Sequence, residues 1–312
     1  MANAMNLTNA AAFRAFVEKF ADTLISELHF GAPSLQLFTA HEGVKGKKIL
    51  TQLVLGQSLV RKYSKSFEPT EAFSFTPREL AIAMAKVDME MTPKDLEDTY
   101  LGMFRQNGQL NPEDLPFERY IFNDILMKIK EEMEVTAWQG VAAASPAAGA
   151  VLNVLTDGIM HLLGDAATAT TITPITTGAL TSANMVEKVE LVYSGIGKAY
   201  KATNVDIFCS VNDRAKYVAS YRDAYGKYVA LDNNRVPFDL GPATLHFLPG
   251  VPDGAIVVTP RSNLHYGYDG ALDHTTFRVK DQIRSMQFAM DLNVGFQIGI
   301  LNDRAIRVND VV

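Results

Sequence analysis

Apolar residues recur at helical spacing over residues 7–30, where Phe13, Phe16, Val17, Phe20, Leu24 and Leu28 follow Thr8 and Asn9, two residues able to cap a helix. Gly31-Ala32-Pro33 ends that run, so an amphipathic amino-terminal helix is expected. From Gly43 to Phe67 the period changes to two: Ile49, Leu53, Leu55, Leu59 and Tyr63 fall on odd positions, with Gly56 near the middle, which predicts an extended segment or long hairpin. Pro116 opens the clearest helix, over 117–136. There Phe117, Ile121, Ile125, Ile129 and Met133 recur every fourth residue, Phe122 and Leu126 widen the stripe, and Asp124, Lys128, Lys130, Glu131, Glu132 and Glu134 form the expected polar face. One side of this spine should lie on a sheet.

Residues 140–183 are rich in Ala, Gly, Ser, Thr and Pro, with seven Thr between Thr168 and Thr181, around an apolar run from Val151 to Leu163. They read as linker, short helix and loop, the natural boundary between domains. Beyond it comes an α/β succession. A helix over 182–202 carries Met185, Val189, Val192 and Ile196, and a buried strand follows at Val205–Val211. Asn212 and Asp213 then cap a helix bearing Tyr217, Val218, Tyr221 and Tyr225, which Gly226 ends. Strands follow at 243–247, 255–259, 275–283, 288–300 and 305–308, and Gly267-Tyr268-Asp269-Gly270 reads as a tight turn.

Charge divides this pattern. Within 43–67, Lys45, Lys47, Lys48, Arg61, Lys62 and Lys65 meet no acidic residue, a local charge of +6. Residues 86–118 hold eight acids (Asp88, Glu90, Asp95, Glu97, Asp98, Glu113, Asp114, Glu118) against Lys86, Lys94 and Arg105, or 3 − 8 = −5. A ribbon this basic is a poor core element. Its complement lies on the same chain, so the ribbon of one copy is expected to meet the acidic region of the next: Lys45, Lys47, Lys48, Arg61, Lys62 and Lys65 with Asp88, Glu90, Asp95, Glu97 and Asp98. Over all 312 residues the net charge is −6, which disfavours a nucleic-acid grip by the chain as a whole. At 47% hydrophobic and 21% charged residues, the chain is of ordinary globular composition.

Catalytic constellations are missing. The six histidines form neither H-x-x-x-H nor H-E-x-x-H, so no metal is expected. Gly195-Ile-Gly197-Lys198 lies in a helical pattern without the preceding strand a phosphate cradle needs. Cys209, the single cysteine, excludes an internal disulfide framework and reads as a small buried thiol. Trp138 reads as a partly buried packing aromatic. No cofactor is expected. MANAMNLTNAAAFRAF lacks a signal-peptide pattern, and no stretch of about 18 apolar residues would span a membrane.

The order of arm, basic ribbon, acidic connection, spine helix, small-residue linker, α-β-α-β region and closing strands resembles the major capsid proteins of tailed bacteriophages with the Hong Kong 97-type fold. The resemblance rests mainly on NVDIFCSVNDRAKYVASYRDAYGKYV and LHFLPGVPDGAIVVTPRSNLHYGYDG, within residues 204–308. It implies an α+β fold with an N-terminal arm (1–42), an extended loop (43–85), a peripheral domain with the spine helix (86–144), an axial domain (145–270) and carboxyl strands returning to the peripheral domain (271–312). It further implies a non-enzymatic virion protein, assembled in the host cytoplasm into hexamers and pentamers of an icosahedral shell. The shell would enclose double-stranded DNA without reading its sequence, and its partners would be a portal and separate scaffold or decoration proteins. Residues 1–42 are too short for a built-in scaffold, so a separate scaffold or none is implied. Some members crosslink a loop Lys to a neighbour's Asn; Lys45, Lys47, Lys48, Lys62 and Lys65 are all possible donors, and no local motif selects one. Two other readings stand beside this: an encapsulin-type nanocompartment shell, and a cytosolic α/β enzyme using Ser210, Asn212 and Asp213 beyond the carboxyl end of a strand.

Overall fold

The computed structural model describes residues 31–55, 62–63, 65, 73–92, 117–226, 238, 241–269, 278–282 and 285–312. The expected amino-terminal helix, the ribbon's tip with Arg61, and Asp95, Glu97 and Asp98 lie outside them.

The period-two ribbon supplies one strand of a hairpin, whose partner lies beyond the expected 43–67 segment. Strand β2 (Lys47–Leu55) runs antiparallel to β3 (Phe73–Ala81) in unbroken register from Lys47↔Ala81 to Leu55↔Phe73. Nine residues of strand span roughly 30 Å at about 3.4 Å each. Strand β4 (Ala83–Met91) follows after one residue and joins a mixed sheet in the order β1 (Thr39–His41), β8 (Leu264–Tyr268), β10 (Met286–Ile298), β4, with β9 (Arg278–Asp281) also on β10. The acidic connection expected after residue 86 is therefore strand as far as Met91. Its sequence alternates, with Ala83, Ala85, Val87 and Met89 against Lys86, Asp88 and Glu90, but the acids drew attention to charge instead of period.

Helix α1 (Phe117–Gln139) occupies and slightly exceeds its predicted span. Its stripe, with Ile125, Leu126, Ile129, Met133 and Trp138, packs in one core with Phe288, Met290, Leu292 and Val294 of β10. Residues 140–183 add to that core: Leu152 and, from helix α2 (Ile159–Thr168), Ile159, Met160, Leu163 and Ala166 are buried in it. The pattern over 182–202 breaks into α3 (Met185–Ser194) and the short α4 (Lys198–Lys201), and between them the Gly197 N–H donates to Arg304 O.

A second sheet runs β11 (Arg307–Val308), β7 (Ile256–Thr259), β5 (Val205–Ser210), β6 (Ala243–Leu248). β5 and β6 are parallel, and helix α5 (Asp213–Tyr225) lies in the connection between them. Every residue of β5 is buried because the sheet is covered on both sides. Phe208 enters the first core, while Val205, Ile207 and Cys209 enter a second with Val189, Tyr217 and Tyr221. Burial pushes the Cys209 thiol pKa up. Gly226, at φ +103°, ends α5 as expected. The expected turn at Gly267 is instead strand β8, where Leu80 packs so closely that a Cβ on Gly267 would lie 2.9 Å from its Cδ2.

Two expectations on α1 are corrected. Trp138 is completely buried, flanked by Phe38 and Phe208 with ring centroids 5.8 and 5.3 Å away. Glu134, assigned to the polar face, is 2% exposed. Donors from two other segments explain it: Ser34 N at 2.9 Å, Ser34 Oγ at 2.5 Å and Gly250 N at 3.4 Å reach its carboxyl, and Trp138 Nε1 donates to Ser34 Oγ at 2.7 Å. Desolvation raises the Glu134 pKa despite these donors. A carboxyl whose pKa is higher folded than unfolded contributes most below its unfolded pKa and less as pH climbs through the folded one. Gln does not titrate. The melting temperature of Glu134→Gln relative to wild type should therefore rise between pH of about 4 and about 7; a flat or falling difference would contradict the buried, costly ionisation.

Candidate assembly surface

The hairpin's register sorts its side chains. Lys48, Leu50, Leu80 and Arg78 fall on one face and Lys47, Ile49, Thr51, Glu79 and Pro77 on the other. The first face is the body side: Leu80 is completely buried, Arg78 is half-buried, and Gln297 of β10 donates through Nε2 to Glu79 O at 2.8 Å. The second face looks outward, leaving Ile49 63% exposed. Tyr63 beyond β2 and Met84 on β4 are 87% and 84% exposed. The odd-position apolar residues that predicted the ribbon thus include at least one, Ile49, that its own subunit does not cover. Pro77 is tolerated because this two-stranded ribbon has free edges.

The predicted charge contacts divide as follows. Lys45, Lys47, Lys48, Lys62 and Lys65 are exposed, and so are Asp88 and Glu90 on β4, which is an edge strand among the described residues. Within one copy Lys47 and Lys48, and likewise Asp88 and Glu90, have partners other than one another. Lys47 Nζ pairs with Glu79 at 2.5 Å across the hairpin, and Lys48 Nζ lies 2.9 Å from His41 Nδ1. Asp88 pairs with Lys86 on its own strand, and Glu90 accepts from Ser285 Oγ at 2.5 Å. Lys47 and Glu79 are both more than half exposed, and such surface pairs are worth about 0–1 kcal/mol. A partner on another copy can displace them at little cost. The signal for Glu79 and Lys86 was charge on alternating strand positions, masked by treating each region as a block.

His41 stacks on His265 at a centroid distance of 5.0 Å, with His41 Nε2 2.9 Å from His265 Nδ1. Both lie where β1 pairs with β8, at the hairpin's root. Burial, then the neighbouring His41 and Lys48, lower the His265 pKa from 6.5 to about 4, and burial with Lys48 lowers that of His41.

The residues proposed for an enzyme are internal fastenings. Ser210 Oγ donates to Asp253 at 2.5 Å, Asn212 Nδ2 donates to the same carboxylate at 3.1 and 3.2 Å, and Asp213 accepts from Gly254 N at 2.7 Å and Lys216 Nζ at 2.7 Å. Together they tie the end of β5 to the turn before β7. Asn212 makes no side-chain cap bond to α5, contrary to expectation. Among the described residues no group of three or more His, Cys, Asp or Glu side chains could hold a metal, and no helix is long and apolar enough to cross a membrane.

No protein-family model matches the chain, and no curated protein matches it in sequence. Solved structures do match, over nearly its whole length. A chain of the satellite phage P4 procapsid that includes the size determination (Sid) protein aligns with a TM-score of 0.55 at 13% identity, covering 92% of this chain and 98% of that one. A Mycobacterium phage Cain chain aligns at 0.54 and 15%, covering 96% and 98%. A chain of the Cyanophage A-1(L) capsid asymmetric unit aligns at 0.53 and 13%, covering 93% and 92%. This protein is thus a mixed α+β chain that shares its fold with chains of phage capsids.

A histidine whose folded pKa is depressed contributes stability that is present above its unfolded value and lost as pH falls through the folded one. Between pH 6.5 and about 4 the wild-type melting temperature should fall more steeply than that of His265→Gln. Parallel curves would show that the hairpin root is not acid-sensitive.

Proposed function

We propose that this chain is the major capsid protein of a tailed bacteriophage, assembling as hexamers and pentamers into an icosahedral shell around double-stranded DNA. The observation that carries the reading is a hairpin anchored at its root with Ile49 exposed on its outer face, in a chain that shares its fold with phage capsid chains over more than nine-tenths of its length. A two-stranded ribbon is marginal alone in water, and exposed Ile49, Tyr63 and Met84 favour a covering surface. A second copy supplies one of fitting shape by symmetry.

In this reading the hairpin is the extended loop (43–85), α1 is the spine of a peripheral domain (86–144), residues 145–270 form the axial domain, and 271–312 return to the peripheral sheet. Two features support that division: β10 pairs with β4 over nine positions, and the second core draws on α3, α5 and the β5 sheet. The basic residues Lys45, Lys47, Lys48, Arg61, Lys62 and Lys65 would meet Asp88, Glu90, Asp95, Glu97 and Asp98 of the next copy. The net charge of −6 keeps the shell from gluing packaged DNA to its wall. Assembly takes place in the host cytoplasm, with a portal and scaffold or decoration proteins as candidate partners.

A second reading, a nanocompartment shell, has one observation in its favour: a chain of a virus-like particle from Pyrococcus furiosus aligns with a TM-score of 0.52 at 10% identity, covering 94% of this chain and 98% of that one. The particle's contents, nucleic acid or protein cargo, separate the two.

Electron microscopy of the purified chain should show closed particles or capsomers, and a species that stays monomeric at high concentration and low salt would overturn the assignment. Reversing Lys47, Lys48 and Lys62 to Glu should leave the circular dichroism spectrum intact while sharply reducing assembly. Normal assembly of that triple variant would remove charge matching from the account but leave the fold.

A further inference from the structure

Arg78 sits on β3 opposite Leu50, on the face turned to the body. Its guanidinium is always charged and presents five donors in a fixed fork. Nε is buried without a hydrogen-bond partner. Among the described residues Nη1 reaches the neutral Oε1 of Gln297, at 3.4 Å. Arg78 makes no ion pair among the described residues. Glu79, the adjacent acid on the strand, points to the opposite face and is taken by Lys47. Lys48, His41 and His265 also lie at the root, and Glu42 follows β1 there beside Tyr268. Burial already lowers the Arg78 pKa, the mark of a cation short of compensation.

A half-desolvated guanidinium with an orphaned donor costs stability in the lone subunit, and most buried polar groups find a partner. A cleft of about 240 Å³ opens nearby, between Leu50 and Thr51 of the hairpin and Ser262, His265 and Gly299 of the body, leaving room for one side chain to enter. We propose that Arg78 is a socket for a carboxylate, an Asp or Glu side chain delivered by a second copy of this chain, so that assembly supplies a counter-charge absent among the described residues. The inference rests on the shell reading above and adds to it a contact on the hairpin's inner face, separate from the exposed lysines. A carboxylate fits better than a nucleic-acid phosphate for two reasons. Arg78 is half-buried with its Nε fully so, a setting that suits one side chain better than the broad backbone of a duplex. The chain also carries an excess of acids, 35 against 29 basic residues.

The test compares full-length wild type, Arg78→Gln and Arg78→Lys. Sedimentation and electron microscopy give the assembled fraction, and the thermal melt of the unassembled subunit reports the fold. Arg78→Gln should reduce the assembled fraction at a given concentration by roughly tenfold, as expected of one charged pair across an interface. Its subunit should melt at or above the wild-type temperature, since an unpaired charge has been removed. Arg78→Lys should recover part of the assembly. A subunit destabilised by Arg78→Gln would make the residue structural and overturn the socket, and so would wild-type assembly by that variant. Assembly that requires added double-stranded DNA and is reversed by nuclease would transfer Arg78 to phosphate and also overturn it. Failure of the wild type to assemble at all would instead sink the shell reading itself and the socket with it.

Discussion

A two-stranded β-ribbon cannot bury both of its faces by itself, and the rest of this structure is arranged around that constraint. Residues 47–55 and 73–81 satisfy each other's backbone along nine paired positions, yet they leave the body almost at once. Among the described residues, what holds them lies at the root: Leu80 against Gly267, Gln297 on the Glu79 carbonyl, and the Ile82 N–H on the Gly46 carbonyl at 2.9 Å. On the outward face Ile49 is left exposed and the Lys47–Glu79 pair is a surface one. A protein that kept such an element for its own stability would have placed it against its own core.

The body is built to hold that root rigid. β10 serves β4, β8 and β9 together, and β5 is buried on both faces, so the two cores share a wall. The Trp138, Ser34 and Glu134 network adds a polar fastening among the 31–38 segment, α1 and the turn at Gly250, where a Cβ would lie 2.7 Å from Trp138 Cδ1. Polar clusters that on paper could be catalytic, such as Ser210 with Asp253 and Asn212, instead close turns.

Periodicity revealed the elements whose pattern was strong and local. The four-residue stripe from Phe117 to Met133 gave α1, the short run Val205–Ser210 gave β5, and Gly226 marked the end of α5. Strands set by distant partners were harder. β4 alternates cleanly but reads as an acidic stretch until β10 pairs with it, and β8 passes through a glycine that looked like a turn because Leu80, far away in sequence, is what requires it. Glu134 could not be recognised as buried, since its donors come from Ser34 and Gly250, roughly a hundred residues away on either side. The same holds for the surface. Basic and acidic blocks were legible as composition, whereas the pairings Lys47 with Glu79 and Lys86 with Asp88, and the unpaired Nε of Arg78 among the described residues, depend on strand register.

The central claim is that the hairpin is completed by another copy. Amide hydrogen exchange over residues 47–55 and 73–81, compared between the isolated subunit and the purified assembly, measures this directly. Exchange should be rapid in the isolated subunit and strongly slowed in the assembly, while β5 amides stay protected in both. Equal exchange of the hairpin amides in the two states would contradict the account.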